Sequence, residues 1–145
     1  MYDEKKLERF VIQQEGTYQN ILNELKRGKK IGHWMWYIFP QIKGLGYSRS
    51  SEFFDIQNLA EAKAFLNHPV LGARFIECCK IILNHQGRKI DQIFPQPPDD
   101  TKFRSSMTLF EAVSDGNSLF SDVLKKYFNG AMDQNTLRII DQPGF

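Results

Sequence analysis

The chain has 145 residues, 41% of them hydrophobic and 25% charged, with a formal net charge of +2. This is the length and composition of one folded domain, able to bury roughly two thirds of its unfolded surface, and it excludes a disordered chain. So small a charge gives no reason to expect nucleic acid or an anionic membrane as partner, and no apolar run approaches the ~18 residues of a membrane span.

In chain order, apolar residues at Leu7, Phe10, Val11, Tyr18, Ile21, Leu22 and Leu25 keep a helical rhythm, with a break near Gly16. Gly28, within the basic run Lys26–Lys30, is a stop signal, and cations suit a helix C-terminus. The run Lys29–Gly46, KKIGHWMWYIFPQIKGLG, follows. It has little regular pattern and reads as a long ordered aromatic loop with at most one helical turn. Asn58 and Glu61 have capping-box spacing, which predicts a helix Leu59–Asn67 ending before Pro69. Pro69 suits a helix start, and Val70–Asn84 is apolar around most of its circumference except at Arg74, Glu77 and Lys80. Such a helix belongs at the centre of a bundle.

Gly87 and the prolines Pro95, Pro97 and Pro98 bracket a short piece, Lys89–Phe94. Helices from about Asp100 to Val113, Ser118 to Phe128 and Asp133 to Ile140 complete the chain. No period-2 strand or internal repeat is evident. The expected fold is therefore all-α: a single-domain multihelical bundle spanning residues 1–145, with a buried central helix and a long ordered aromatic loop. The N-terminus has no apolar h-region of a leader peptide. Cys78 and Cys79 are adjacent inside an apolar helix, so they provide no disulfide framework and read as structural thiols. A cytoplasmic setting is expected.

Two blocks carry the chemistry. In Asp99–Phe110, DDTKFRSSMTLF, either aspartate can cap a helix, while Lys102 and Arg104 fall in the first turn or so, where cations oppose the dipole. Thr101, Ser105, Ser106 and Thr108 add hydroxyls, and Phe103, Met107 and Phe110 share the buried face. Free N–H groups beside two cations and hydroxyls fit an anion site. The plainer alternative pairs Asp100 with Arg104 at i+4 and lets the hydroxyls back-bond. The first block offers His33, Trp34, Trp36 and Gln41, followed by Gly44–Gly46 and Ser48. Indoles can stack on a planar ligand and Gln41 can read its polar edge; the alternative is that the rings anchor the loop. GLG lacks the third glycine and preceding strand of a dinucleotide fingerprint, and no HExxH or CxxC spacing supports a metal. No nucleophile elbow surrounds Ser105 or Ser106.

The runs Arg9–Tyr18, Gly32–Ser48, Leu59–Phe75 and DDTKFRSSMTLF, in this order over almost the whole chain, resemble the domain-of-unknown-function family eighteen-ten. Its bacterial members sometimes carry the label calpastatin, a disordered type of inhibitor unlike this composition. The resemblance implies a compact multihelical fold and no known activity. The chain departs from the family pattern at PQPP (Pro95–Pro98), at Phe54, Asp55 and Ile56 in place of Tyr-Ala-Ile, and at Gly32, where serine is usual.

The expectation is that the two blocks meet around one pocket for a small anionic ligand, phosphorylated or nucleotide-like. Lys102 and Arg104 would hold the anion, Ser105, Ser106 and Thr108 would add donors, and Trp34, Trp36 and Gln41 would frame the organic part. His33, Asp99 and Asp100 are the acid/base candidates. No metal or other cofactor, nucleic acid or membrane is expected; the oligomeric state is left open. The contrasting expectation is a non-enzymatic interaction domain in which both blocks are structural.

Overall fold

The computed structural model describes residues 3–45, 49–115 and 119–145, without the side chains of residues 49–51. The described chain is helical, as the periodicity predicts. A 3-10 turn, Glu4–Leu7, precedes α1 (Glu8–Gln14) and α2 (Tyr18–Arg27); then come α3 (Met35–Ile38), α4 (Arg49–Phe54) and α5 (Leu59–Asn67). The second half comprises α6 (Leu71–Leu83), α7 (Ile90–Ile93), α8 (Asp99–Ala112), α9 (Leu119–Phe128) and α10 (Gln134–Ile140). One isolated parallel bridge joins Ile42 to Ile56, and no strand occurs among the described residues.

Local chemistry sets these boundaries. The α1–α2 break falls at Glu15–Thr17, and α2 ends at Gly28, whose φ of +81° lies in the left-handed region that glycine enters without penalty. Asn58 caps α5 by accepting from the Glu61 N–H at 2.9 Å. The reciprocal half of the capping box is absent, because the Glu61 carboxylate turns to Arg9 at 2.7 Å and to the Gln57 N–H at 3.1 Å. His68 starts α6, its Nδ1 accepting from the N–H groups of Val70 and Leu71 at 3.1 Å each. Helix α4 is a departure: RSSEFF is short and aperiodic, so the sequence reads as loop there. Gly46, Ser48 and Ser118 lie outside the described residues.

Helix α6 is central, packing on α2, α5 and α9. Both thiols are buried on it; burial pushes Cys78 up to about 12 and raises Cys79 well above the ordinary thiol value, so neither supplies a reactive thiolate. The core is built from rings. Phe75 of α6 meets Phe110 of α8 at 4.4 Å, Phe120 of α9 at 5.5 Å and Phe65 of α5 at 5.7 Å between centroids. The aromatic block contributes Phe39, edge-on to Phe103 at 4.9 Å and to Phe94 at 6.1 Å. The block is therefore anchored in the core, and this fixes where its polar residues emerge.

Arg9 ties α1 to the segment before α5. Beyond Glu61 it donates to the carbonyls of Lys6, Phe53 and Asp55. Asp55 is buried beside this cluster; burial and the nearby Glu52 raise its carboxyl to about 7, against the opposing pull of Arg9 and Lys43.

Candidate functional site

Past Gly28 the chain turns back over the end of α2. There the Glu24 carboxylate gathers three donors: the N–H groups of Ile31 at 2.6 Å and Gly32 at 2.9 Å, and Trp34 Nε1 at 3.0 Å. Burial opposes ionisation of Glu24, but these donors and Lys30 outweigh it and hold its carboxyl below the ordinary value. Serine would be crowded at Gly32, where an added Cβ comes within 3.0 Å of the Trp34 ring. The indole of Trp34 is thus fixed by hydrogen bonding at its N–H and by packing against Phe39 and Phe94.

Lys30 joins this loop to the start of α8. Its N–H donates to the Ile93 carbonyl at 2.7 Å, while its Nζ lies 2.9 Å from Asp99 Oδ2, 3.2 Å from Gln96 Oε1 and 5.3 Å above the Trp34 ring. The side chain is only 2% exposed. Sequence reading places Lys30 in the basic run at a helix C-terminus; the structure buries it against Asp99. A buried pair of this kind contributes geometry more surely than stability, yet losing one partner leaves an uncompensated charge.

A cleft of about 320 Å³ opens over this junction. His33, Trp34 and Trp36 line one wall, and Gln96, Asp99 and Lys102 line the other. The Lys102 ammonium lies 5.4 Å from the Trp36 ring centroid and has no hydrogen bond or ion pair among the described residues. Trp36 Nε1 is buried without a hydrogen-bond partner among the described residues. His33 is exposed and makes no hydrogen bond to either aspartate. Helix α8 starts without a side-chain cap: Pro98 occupies the N-cap position, Asp99 turns to Lys30, and Asp100 Oδ1 accepts only from the adjacent Thr101 N–H at 2.8 Å.

The structure therefore brings together His33, Trp34, Trp36, Asp99 and Lys102 from the sequence-based set. Gln41, Asp100, Arg104, Ser105, Ser106 and Thr108 do not line this cleft. Gln41 accepts the Ile56 N–H on its backbone carbonyl at 2.8 Å, beside the isolated bridge. Asp100 borders a separate groove with Arg88, Lys89 and Lys126. Arg104 lies over the Phe128 ring at 5.8 Å, and neither its buried Nε nor the buried Ser106 hydroxyl has a hydrogen-bond partner among the described residues. Ser105 and Thr108 face α10. Ser105 Oγ donates to Asp133 Oδ2 at 3.1 Å, and Thr108 Oγ1 accepts the Asp133 N–H at 2.9 Å. Asp133 in turn caps α10 by accepting from the Thr136 N–H at 3.0 Å. The residue spacing within α8 gives no sign of this, because the partner is a distant cap.

Lys30 and Gln96 are cleft residues that the sequence gives no motif for. The available signal is PQPP, which marks a rigid approach to Asp99. Among the described residues no group of three or more His, Cys, Asp or Glu is placed to hold a metal ion. No helix among the described residues is long and apolar enough to cross a membrane.

The family model described as "Protein of unknown function (DUF1810)" matches residues 4–140. The chain belongs to this family. Its solved relatives include the conserved hypothetical protein Rv1873 from Mycobacterium tuberculosis, a crystal structure 44% identical in sequence with a TM-score of 0.93. The match covers 97% of this chain and 99% of that one. No curated protein matches the chain. Family and neighbour thus agree with the all-helical fold and bring no assigned activity.

Proposed function

We propose that the protein binds a small phosphorylated ligand in the cleft between the aromatic loop and the start of α8. The observation that carries this reading is Lys102, a cation on the cleft wall with no ion-pair partner among the described residues. It stands in the first turn of a helix whose N-terminus lacks a side-chain cap, where a lone cation opposes the helix dipole. A phosphate reverses that balance by meeting the ammonium; of the nearby amides, Asp99, Thr101 and Lys102 are already bonded to Gln96, Asp100 and Pro98, which leaves the Asp100 N–H as the donor. His33 adds a donor on the facing wall, beside the Trp36 ring. Ser105 and Thr108 serve the α10 cap, so the reading centres on Lys102, Trp36, His33 and Asp99.

A thermal-shift comparison tests it, using inorganic phosphate, nucleotides and sugar phosphates against the wild type and Lys102→Ala. A ligand present at 100 times its Kd adds about 2.7 kcal/mol, which for this chain length raises Tm by ~5–10 °C. The rise is expected in the wild type and lost in Lys102→Ala. A flat response to every phosphate, or an equal rise in the variant, overturns the proposal. The second reading, an interaction domain with structural blocks, draws on the internal bonding of Glu24, Lys30, Ser105 and Thr108; a flat screen favours it.

A further inference from the structure

We infer that the cleft selects phosphates bearing hydroxyl groups, such as sugar or polyol phosphates, with Asp99 as the hydroxyl-reading residue; this rests on the phosphate reading above. Three observations lead there. First, each indole already carries a lysine over one face, Lys30 above Trp34 at 5.3 Å and Lys102 above Trp36 at 5.4 Å. Trp34 is moreover packed edge-on and tilted against Phe94 and Phe39, and only 3% exposed. The rings are thus built as supports for the two ammonium groups, and the frame offers little open aromatic face for stacking a base.

Second, Asp99 lines the cleft with a carboxylate that is only half used. Oδ2 takes Lys30 Nζ at 2.9 Å, while Oδ1 has no donor among the described residues. A carboxylate oxygen accepts and cannot donate, so what it takes from a ligand is an O–H or N–H. Third, Asp99 and Lys102 stand three residues apart on α8, neighbours on one helix face about one turn apart. The ligand that satisfies both carries its anion and its donor groups close together on one small frame, as a sugar phosphate does. Asp99 also makes the wall mixed in sign: Lys30 is cancelled by Asp99, leaving Lys102 as the net charge. This favours one phosphate over a polyphosphate, whose second charged group would meet the carboxylate.

Isothermal titration of the wild-type protein with ribose 5-phosphate, n-pentyl phosphate and inorganic phosphate tests this. Pentyl phosphate keeps the phosphate and removes every hydroxyl. Hydrogen bonds to a charged acceptor predict that ribose 5-phosphate binds at least about tenfold tighter than pentyl phosphate. Asp99→Asn, checked for folding by circular dichroism, collapses that ratio while phosphate binding persists. If the asparagine variant does not fold, the wild-type comparison decides alone. Equal affinity for ribose 5-phosphate and pentyl phosphate overturns the hydroxyl selectivity and leaves the phosphate site standing. Absence of binding by all three overturns both readings.

Discussion

Buried charge in this protein is concentrated on a few side chains, each held for a different reason. Lys30 and Asp99 neutralise each other, three donors converge on Oε1 of the half-buried Glu24, and Glu61 is held by Arg9. Asp55 stands apart, because burial raises its carboxyl to about 7. The folded state therefore prefers the protonated acid. The stability this group contributes is fully present below its unfolded pKa of ~3.9 and is lost as pH rises through about 7. Asn at this position cannot ionise. Denaturant titrations of Asp55→Asn and wild type are thus expected to show the variant gaining on the wild type by on the order of 1 kcal/mol between pH 4 and pH 8. A difference independent of pH contradicts the assignment. Glu24 works in the opposite sense: its lowered carboxyl contributes stability that is lost as the solution turns acidic, below the ordinary value of 4.5.

Among the elements, α6 presses closely on the end of α5 at Gly72. A Cβ added there lies 2.0 Å from the Leu66 carbonyl oxygen, a backbone atom that cannot step aside. Gly72→Ala is expected to cost about 3 kcal/mol or more, read as a lower denaturation midpoint; a neutral result would mean that the two helices can separate. Helix existence and most boundaries are legible in the sequence because they rest on local chemistry: Asn58 before α5, Gly28 after α2, and the unbroken apolar surface of α6. What is not legible depends on distant partners. Helix α4 has no period of its own. Lys30 looks like a solvated cation until Asp99 is brought to it across the fold, and the α8 hydroxyls resemble ligand donors until Asp133 arrives from α10. The pairing of the two blocks is half legible. His33, Trp36, Asp99 and Lys102 share the cleft because Phe39, Phe94 and Phe103 pack beneath them. Gln41, Arg104 and Ser106 stand outside it.

At the scale of the whole molecule, the aromatic core does two jobs at once. The rings of Phe65, Phe75, Phe110 and Phe120 hold the central helices, and Phe39, Phe94 and Phe103 extend that core to the foot of the cleft. The polar walls therefore stand on rigid ground, which is what positioning a small ligand requires. The buried Lys30–Asp99 pair joins the two walls, and Lys102 is left as the cation facing solvent. An NMR titration with ribose 5-phosphate, following backbone amides and indole N–H signals, tests this account most directly. Saturable shifts are expected, largest at the Trp36 indole and at the amides of Asp100, Thr101 and Lys102, and absent in Lys102→Ala. Shifts centred elsewhere, such as the groove between Leu59 and Arg138, or no saturable shift at all, would contradict it.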